Sequence, residues 1–138
     1  MTAPNRVAIA LSGLFLGVGI AAAFEAFCVW LAWRQALQSV GHQIVFWSWA
    51  IAAAGSAFIT WRFTSGIDEV WRRAALAVTS AFGAWGAGGL SYAVSMASLM
   101  YTNPIIAEGL VPGFFLAGLA VAWFSFRVSR KHRVSATA

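Results

Sequence analysis

Apolar residues fall along this chain in four long runs separated by short polar or charged segments. The first covers 7–33 and is interrupted by a single acid, Glu25; a polar stretch, 34–43, leads to the second run, 44–61. A charged segment, 62–73, carries Asp68, Glu69, Arg72 and Arg73 and precedes the third run, 74–101. The turn Thr102-Asn103-Pro104 joins it to a fourth run, 105–126, and a basic, polar tail, 127–138, follows. About 20 mostly apolar residues, at 1.5 Å rise each, cross a hydrocarbon core of roughly 30 Å. The pattern therefore predicts an all-α protein of one domain: an integral membrane four-helix transmembrane bundle. Arg6 ahead of an apolar run, with Ala21-Ala22-Ala23 inside it, has the outline of a cleaved secretory signal. That run extends well past the 7–15 apolar residues of a signal core, so it is read as a retained span.

Composition strengthens the membrane reading. Of the 138 residues, 61% are hydrophobic and 9% charged, where a soluble domain carries about 25% charged residues to coat its surface. The net charge of +5 raises the question of nucleic acid, but the basic residues lie only between and after the apolar runs, the distribution that sets membrane orientation. With four spans, the N-terminus, the middle segment and the tail share one side, which holds Arg6, Arg62, Arg72, Arg73, Arg127, Arg130, Lys131 and Arg133. The opposite side holds Arg34 alone. Eight against one places both termini in the cytoplasm and argues against dual topology. Tryptophans agree: Trp30, Trp33, Trp47 and Trp49 flank the first loop, Trp61, Trp71 and Trp123 lie toward the other side, and only Trp85 sits well within a span. They read as interfacial belts.

Helices in lipid are held together by close backbone approach and interhelical hydrogen bonds rather than by expulsion of water, so contact faces favour small residues. Four-residue spacing puts Gly13, Gly17 and Ala21 on one stripe of the first helix, with Glu25 next on it. Gly83, Ala87, Ser91 and Ser95 form a stripe of the third, beside Gly86, Gly88 and Gly89; the fourth offers Gly109, Gly113 and Ala117, with Pro112 between them. Gly13, Gly17, Gly83, Gly88, Gly109 and Gly113 are accordingly expected at helix contacts, within the chain or with other subunits.

Glu25 is the residue with the most chemical content. It lies roughly 7 Å past the middle of its span by helical rise, where an acid is costly and faces a bundle interior, a cavity or a partner. Counting along antiparallel spans brings Ser48, Tyr92 and Ser95 to the same depth, so a polar cluster of Glu25, Ser48, Tyr92 and Ser95 is expected. It serves either as a proton or cation site or as a neutral acid hydrogen-bonded to a neighbouring helix. Glu108 is expected in a surface ion pair near Arg34 and His42, and no His, Cys or acid spacing suggests a metal site. The single Cys28 excludes an internal disulfide. The middle segment reads as an interfacial turn or short helix, with Thr64 or Ser65 capping it and Glu69 able to pair with Arg72 and Arg73. Arg127, Arg130, Lys131 and Arg133 are placed to contact lipid head groups.

No phosphate-binding Gly-rich loop, His-Glu-x-x-His or nucleophile elbow occurs, and neither His lies in a span to hold haem. An enzyme, a cofactor and a nucleic-acid partner are therefore not expected; the expected partners are the bilayer and other membrane subunits or further copies of the chain. In two traits, four helices and an acid in the first, the chain is similar to the small multidrug transporters. It matches no motif of theirs residue by residue, and no family is assigned. Three roles fit: an accessory or structural subunit of a larger membrane complex, a homo-oligomeric transporter or channel built around Glu25, and a holin-like pore-forming protein. Location in the plasma membrane, the inner membrane for a bacterium, follows from the same reading.

Overall fold

A helix satisfies its own interior N–H and C=O groups, so long apolar runs without internal breakers become helices wherever water is excluded. The computed structural model describes residues 3–34, 38–100 and 104–137, with side chains for 5–32, 43–94, 96 and 109–132. Four helices account for them: α1 (Ala3–Arg34), α2 (Gln38–Phe63), α3 (Val70–Met100) and α4 (Pro104–Thr137). Each is longer than the apolar run it contains. The basic segment after residue 126 is not a separate tail but continues α4, because Arg, Lys, Val and Ser carry no helix-breaking feature. Pro104 opens α4, where a missing N–H costs nothing. Pro112 lies inside the same continuous helix.

The middle segment is a tight connection rather than a helix of its own. Thr64 still bonds the carbonyl of Thr60 through its N–H, at 3.0 Å, and a turn over 64–66 ends α2. Ile67 folds back into the interior, and the Glu69 carbonyl accepts the N–H groups of Arg72 and Arg73 to start α3. The expected pairing is present with Arg72, whose Nε lies 2.8 Å from Glu69 Oε2. Arg73 instead donates to the Trp61 carbonyl at 2.8 Å, its guanidinium stacked 4.2 Å from the centre of the Trp61 ring.

The helices run antiparallel in chain order, and α1 is the hub, packing on all three others. Its stripe Gly13–Gly17–Ala21–Glu25 faces α2 and α3, which answer with Thr60, Ser56 and Ala52 on α2, Thr64 just past its end, and Ser80, Ala84 and Gly88 on α3. The contacts stack in layers. Gly17 meets Ser56, Thr60 and Ser80; one layer on, Ala21, Ala52 and Ala84 form a buried alanine cluster. Polar bonds stitch the seam: Thr60 donates to the Gly13 carbonyl at 3.1 Å, Ser56 donates to the Ser80 carbonyl at 3.1 Å, and the Ser56 and Ser80 hydroxyls bond each other. On its other side α1 crosses α4 backbone against backbone at Gly19 and Gly118. Antiparallel order gathers Arg6, Arg62, Arg72, Arg73, Arg127, Arg130 and Lys131 at one end of the bundle, where the Phe63 and Phe126 rings meet at 6.2 Å.

Burial is inverted relative to a water-soluble bundle. The interior is mostly Gly, Ala, Ser and Thr, joined by Ile9, Leu16, Val29, Val45 and Ile67, and among the fully enclosed side chains the largest are Glu25 and Val111. The large apolar side chains point outward: Phe58 is 68% exposed, Trp71 68%, Phe124 69%. Among the described residues, three helical segments are long and apolar enough to cross a membrane: Asn5–Ala32, Gln43–Phe63 and Gly109–His132. The described part of α3 is not among them, although the pattern predicts a span at 74–101. Its length suffices, but Ser80, Gly83, Gly86, Gly88, Gly89 and Ser91 dilute its apolar character.

Candidate functional site

The layers that run up the α1–α2–α3 seam end in a place where one side chain is not small. Glu25 follows Ala21 by one helical turn, so it enters the same three-helix interface and is wholly enclosed there, with 0% of its surface exposed. Gly88 on α3 makes the space. A Cβ at Gly88 would stand 2.7 Å from the Glu25 carboxyl carbon and 2.5 Å from Trp49 Cδ1, and would also strike Trp49 Nε1. The Glu25 carboxyl and the Trp49 indole edge therefore crowd the same bare stretch of α3 backbone. Trp49 in turn packs edge-on against Tyr92, ring centres 5.9 Å apart at 80°.

The site is a carboxyl without hydrogen-bond partners. Both Glu25 oxygens and the Trp49 Nε1–H are buried and unsatisfied among the described residues. Buried polar groups are hydrogen-bonded in the great majority of cases, so an orphaned acid beside an orphaned indole N–H requires an account. The pair can do two things. A small movement of either side chain lets Trp49 Nε1–H donate to the carboxyl, or the carboxyl takes up a proton or a cation. Cys28, half-buried, stands one turn further along α1. No group of three metal-ligating side chains occurs among the described residues.

Of the four residues expected together from depth counting, the structure describes the side chains of Glu25, Ser48 and Tyr92. Ser48 is buried, yet its hydroxyl donates at 2.7 Å to the Val45 carbonyl of its own helix and not to Glu25. Intrahelical back-bonding of this kind is the usual alternative for a serine in a helix. Tyr92 is half-buried and reaches Glu25's surroundings through Trp49. The Ser95 side chain lies outside the described residues, as do those of Arg34, His42, Glu108 and Arg133. Trp49 and Gly88 complete the site. Trp49 is not the belt residue its place near the first loop suggests, since Trp47 takes the outward position and Trp49 turns inward. Its adjacency to Ser48 at the Glu25 level was the available signal.

The glycines divide in the same way. Gly13, Gly17, Gly83 and Gly88 all stand where a Cβ would collide with a neighbouring helix: with Thr64, with Thr60 and Ser80, with Val18, and with Trp49 and Glu25. Gly109 and Gly113 do not, for a Cβ at either meets nothing within 4 Å. The inward stripe of α4 runs through Val111, Gly118, Ala122, Ser125 and Ser129 instead. Two residues either side of Val111 is about 200° of rotation at 3.6 residues per turn, which turns both glycines outward. Gly19 and Gly118, where α1 and α4 meet backbone to backbone, lie outside the stripes read from the sequence but sit on the buried faces of α1 and α4. No family model, curated protein or solved structure matches the chain, so its functional reading rests on these residues alone.

Proposed function

We propose that the chain is a multi-pass plasma-membrane protein, crossing four times with both termini cytoplasmic, that serves as an accessory or structural subunit of a larger membrane assembly. The inverted burial carries this reading. Phenylalanine and tryptophan cover the outside while mostly small residues, Gly, Ala, Ser and Thr, line the inside, the arrangement in which lipid replaces water as solvent and close packing replaces hydrophobic collapse. The cations gathered at one end support the cytoplasmic orientation of that end. The described part of α3 falls short of the apolar character of a span, and its inward face accounts for part of that through the seam it shares with α1 and α2. At Gly109 and Gly113 on α4, and at Gly86 and Gly89 on α3, a Cβ would meet nothing within 4 Å among the described residues. Those positions suit the close approach of another subunit's helices.

Capture of a tagged chain from native membranes in mild detergent tests the proposal. The expected result is co-purification with at least one other membrane protein at fixed stoichiometry. Gly109→Leu/Gly113→Leu should abolish it without unfolding the bundle, because both positions face open space. Recovery of the chain alone sinks the subunit reading.

One observation favours a second reading, a homo-oligomeric transporter or channel: the enclosed and unpartnered Glu25 carboxyl. In lipid an acid at such depth is costly and is read as a functional site by default. Liposomes holding only this chain would then show a pH-driven flux that Glu25→Gln removes; a flux indifferent to that substitution rejects the role of Glu25.

A further inference from the structure

We propose that the outward face of α4 at the basic end is a binding site for the phosphate of an anionic glycerophospholipid; this rests on the membrane reading above. Trp123, Phe126, Arg127, Arg130 and Lys131 line one shallow concavity of about 590 Å³. At 3.6 residues per turn these five positions fall within a sector of about 140° of the helix, so they share one face. All five are exposed, Trp123 at 65%.

Their order along the axis matches a lipid from chain to head group. Phe126 precedes Arg130 by about 6 Å of helical rise, close to the thickness of the polar layer that flanks each side of the hydrocarbon core. Trp123 and Phe126 thus meet the upper acyl chains and the glycerol region, where aromatic rings favour the boundary. Arg127, Arg130 and Lys131 stand at the level of the phosphate. Arg130 and Lys131 lie three and four residues beyond Arg127, close enough on a helix for all three to converge on one anion. Arginine adds a planar fork that holds two phosphate oxygens at once.

The charge is available for such a ligand. Among the described residues none of these three cations has an acidic or hydrogen-bonding partner. The acids at this end are Asp68 and Glu69, and Glu69 is held by Arg72. A zwitterionic lipid brings its own ammonium into the cluster, whereas a net-negative head group neutralises it. The site therefore discriminates by net charge, and the aromatic base keeps the occupant a lipid rather than a free anion.

Native mass spectrometry of the full chain in neutral detergent, with equimolar phosphatidylglycerol and phosphatidylcholine, reads the site directly. Retention of phosphatidylglycerol over phosphatidylcholine is expected, falling about five-fold for each basic residue removed and about thirty-fold in Arg127→Gln/Arg130→Gln. Arg72→Gln, at the same end but outside the concavity, should leave the preference unchanged. Equal retention of the two lipids, or equal effects of the double variant and Arg72→Gln, overturns the proposal. So does full displacement of the lipid by millimolar inorganic phosphate, which would make the ligand a free anion. Whether the chain stays with carbonate-washed membranes is scored separately. A chain that washes off refutes the membrane reading itself, whereas a retained chain without lipid preference refutes this site alone.

Discussion

Gly118→Ala should loosen the bundle more than any other single methyl addition on α4. A Cβ there would lie 2.7 Å from the Gly19 carbonyl oxygen, 2.8 Å from the Ala23 nitrogen and 3.2 Å from the Ala23 Cα. All three are backbone atoms of α1, so no rotamer change relieves the clash and the two helices must separate. Contacts to carbon settle near 3.5 Å, which requires a retreat of roughly 0.7 Å, and a gap of that size forfeits a quarter to a half of each neighbouring dispersion contact. Overpacking of this kind costs about 1–3 kcal/mol, or about 5- to 150-fold in the folding equilibrium. The assay is titration of the detergent-solubilised chain with sodium dodecyl sulfate, followed by circular dichroism. Gly19→Ala, whose Cβ would meet the Gly118 oxygen at 2.8 Å and the Ala122 nitrogen at 2.9 Å, should shift the midpoint comparably. The double variant should fall short of the sum, since one separation relieves both clashes. Gly113→Ala is the control, with nothing within 4 Å of the added methyl, and should stay within about 0.5 kcal/mol of the parent. A Gly118→Ala midpoint that coincides with both the parent and Gly113→Ala refutes the close crossing of α1 and α4.

Thr60→Val keeps shape but removes the bond to the Gly13 carbonyl; a loss of about 0.6 kcal/mol, the average for interhelical bonds in membrane proteins, should appear in the same titration, and no loss would show that the bond is not formed. Gly88→Ala displaces side-chain tips rather than backbone, so it should cost less than Gly118→Ala while changing the near-ultraviolet dichroism of Trp49. That change should vanish in a Trp49→Phe background; its persistence would place Trp49 elsewhere. Arg73→Lys exchanges the planar guanidinium over the Trp61 ring for a point charge, and a loss of about 0.5–1 kcal/mol is expected for a partly exposed cation–π contact. An unchanged midpoint in the same titration would show that the guanidinium does not stack on the ring.

The seam residues show how far sequence reasoning reached. The stripe Gly13–Gly17–Ala21–Glu25 was legible because an apolar helix of fixed pitch carries a period of its own, and small residues at that period mark a contact. Glu25 was legible because a lone acid in such a run is conspicuous. Its companions were less so. Depth counting pointed to Ser48, yet depth does not fix rotation, and one position separates Ser48, bonded to its own helix, from Trp49, pressed against Gly88. The same ambiguity turned Gly109 and Gly113 toward open space and left Gly19 and Gly118 unmarked, although Gly19–Ala23 and Gly118–Ala122 carry the same four-residue spacing and meet each other at the crossing.

By itself the sequence determined four helices, their approximate limits, their antiparallel order through short connections, and the gathering of positive charge at one end. These follow from run length, helical rise and the placement of Arg and Lys, all of which are one-dimensional quantities. Only the tertiary structure decided which face of each helix turns inward, that α1 is the hub, and that an acid, an indole and a bare stretch of backbone share one enclosed space. Those depend on the rotation of four helices about their axes. In an apolar chain almost every residue is acceptable on either face, so the outcome is set by which small side chains let two backbones approach.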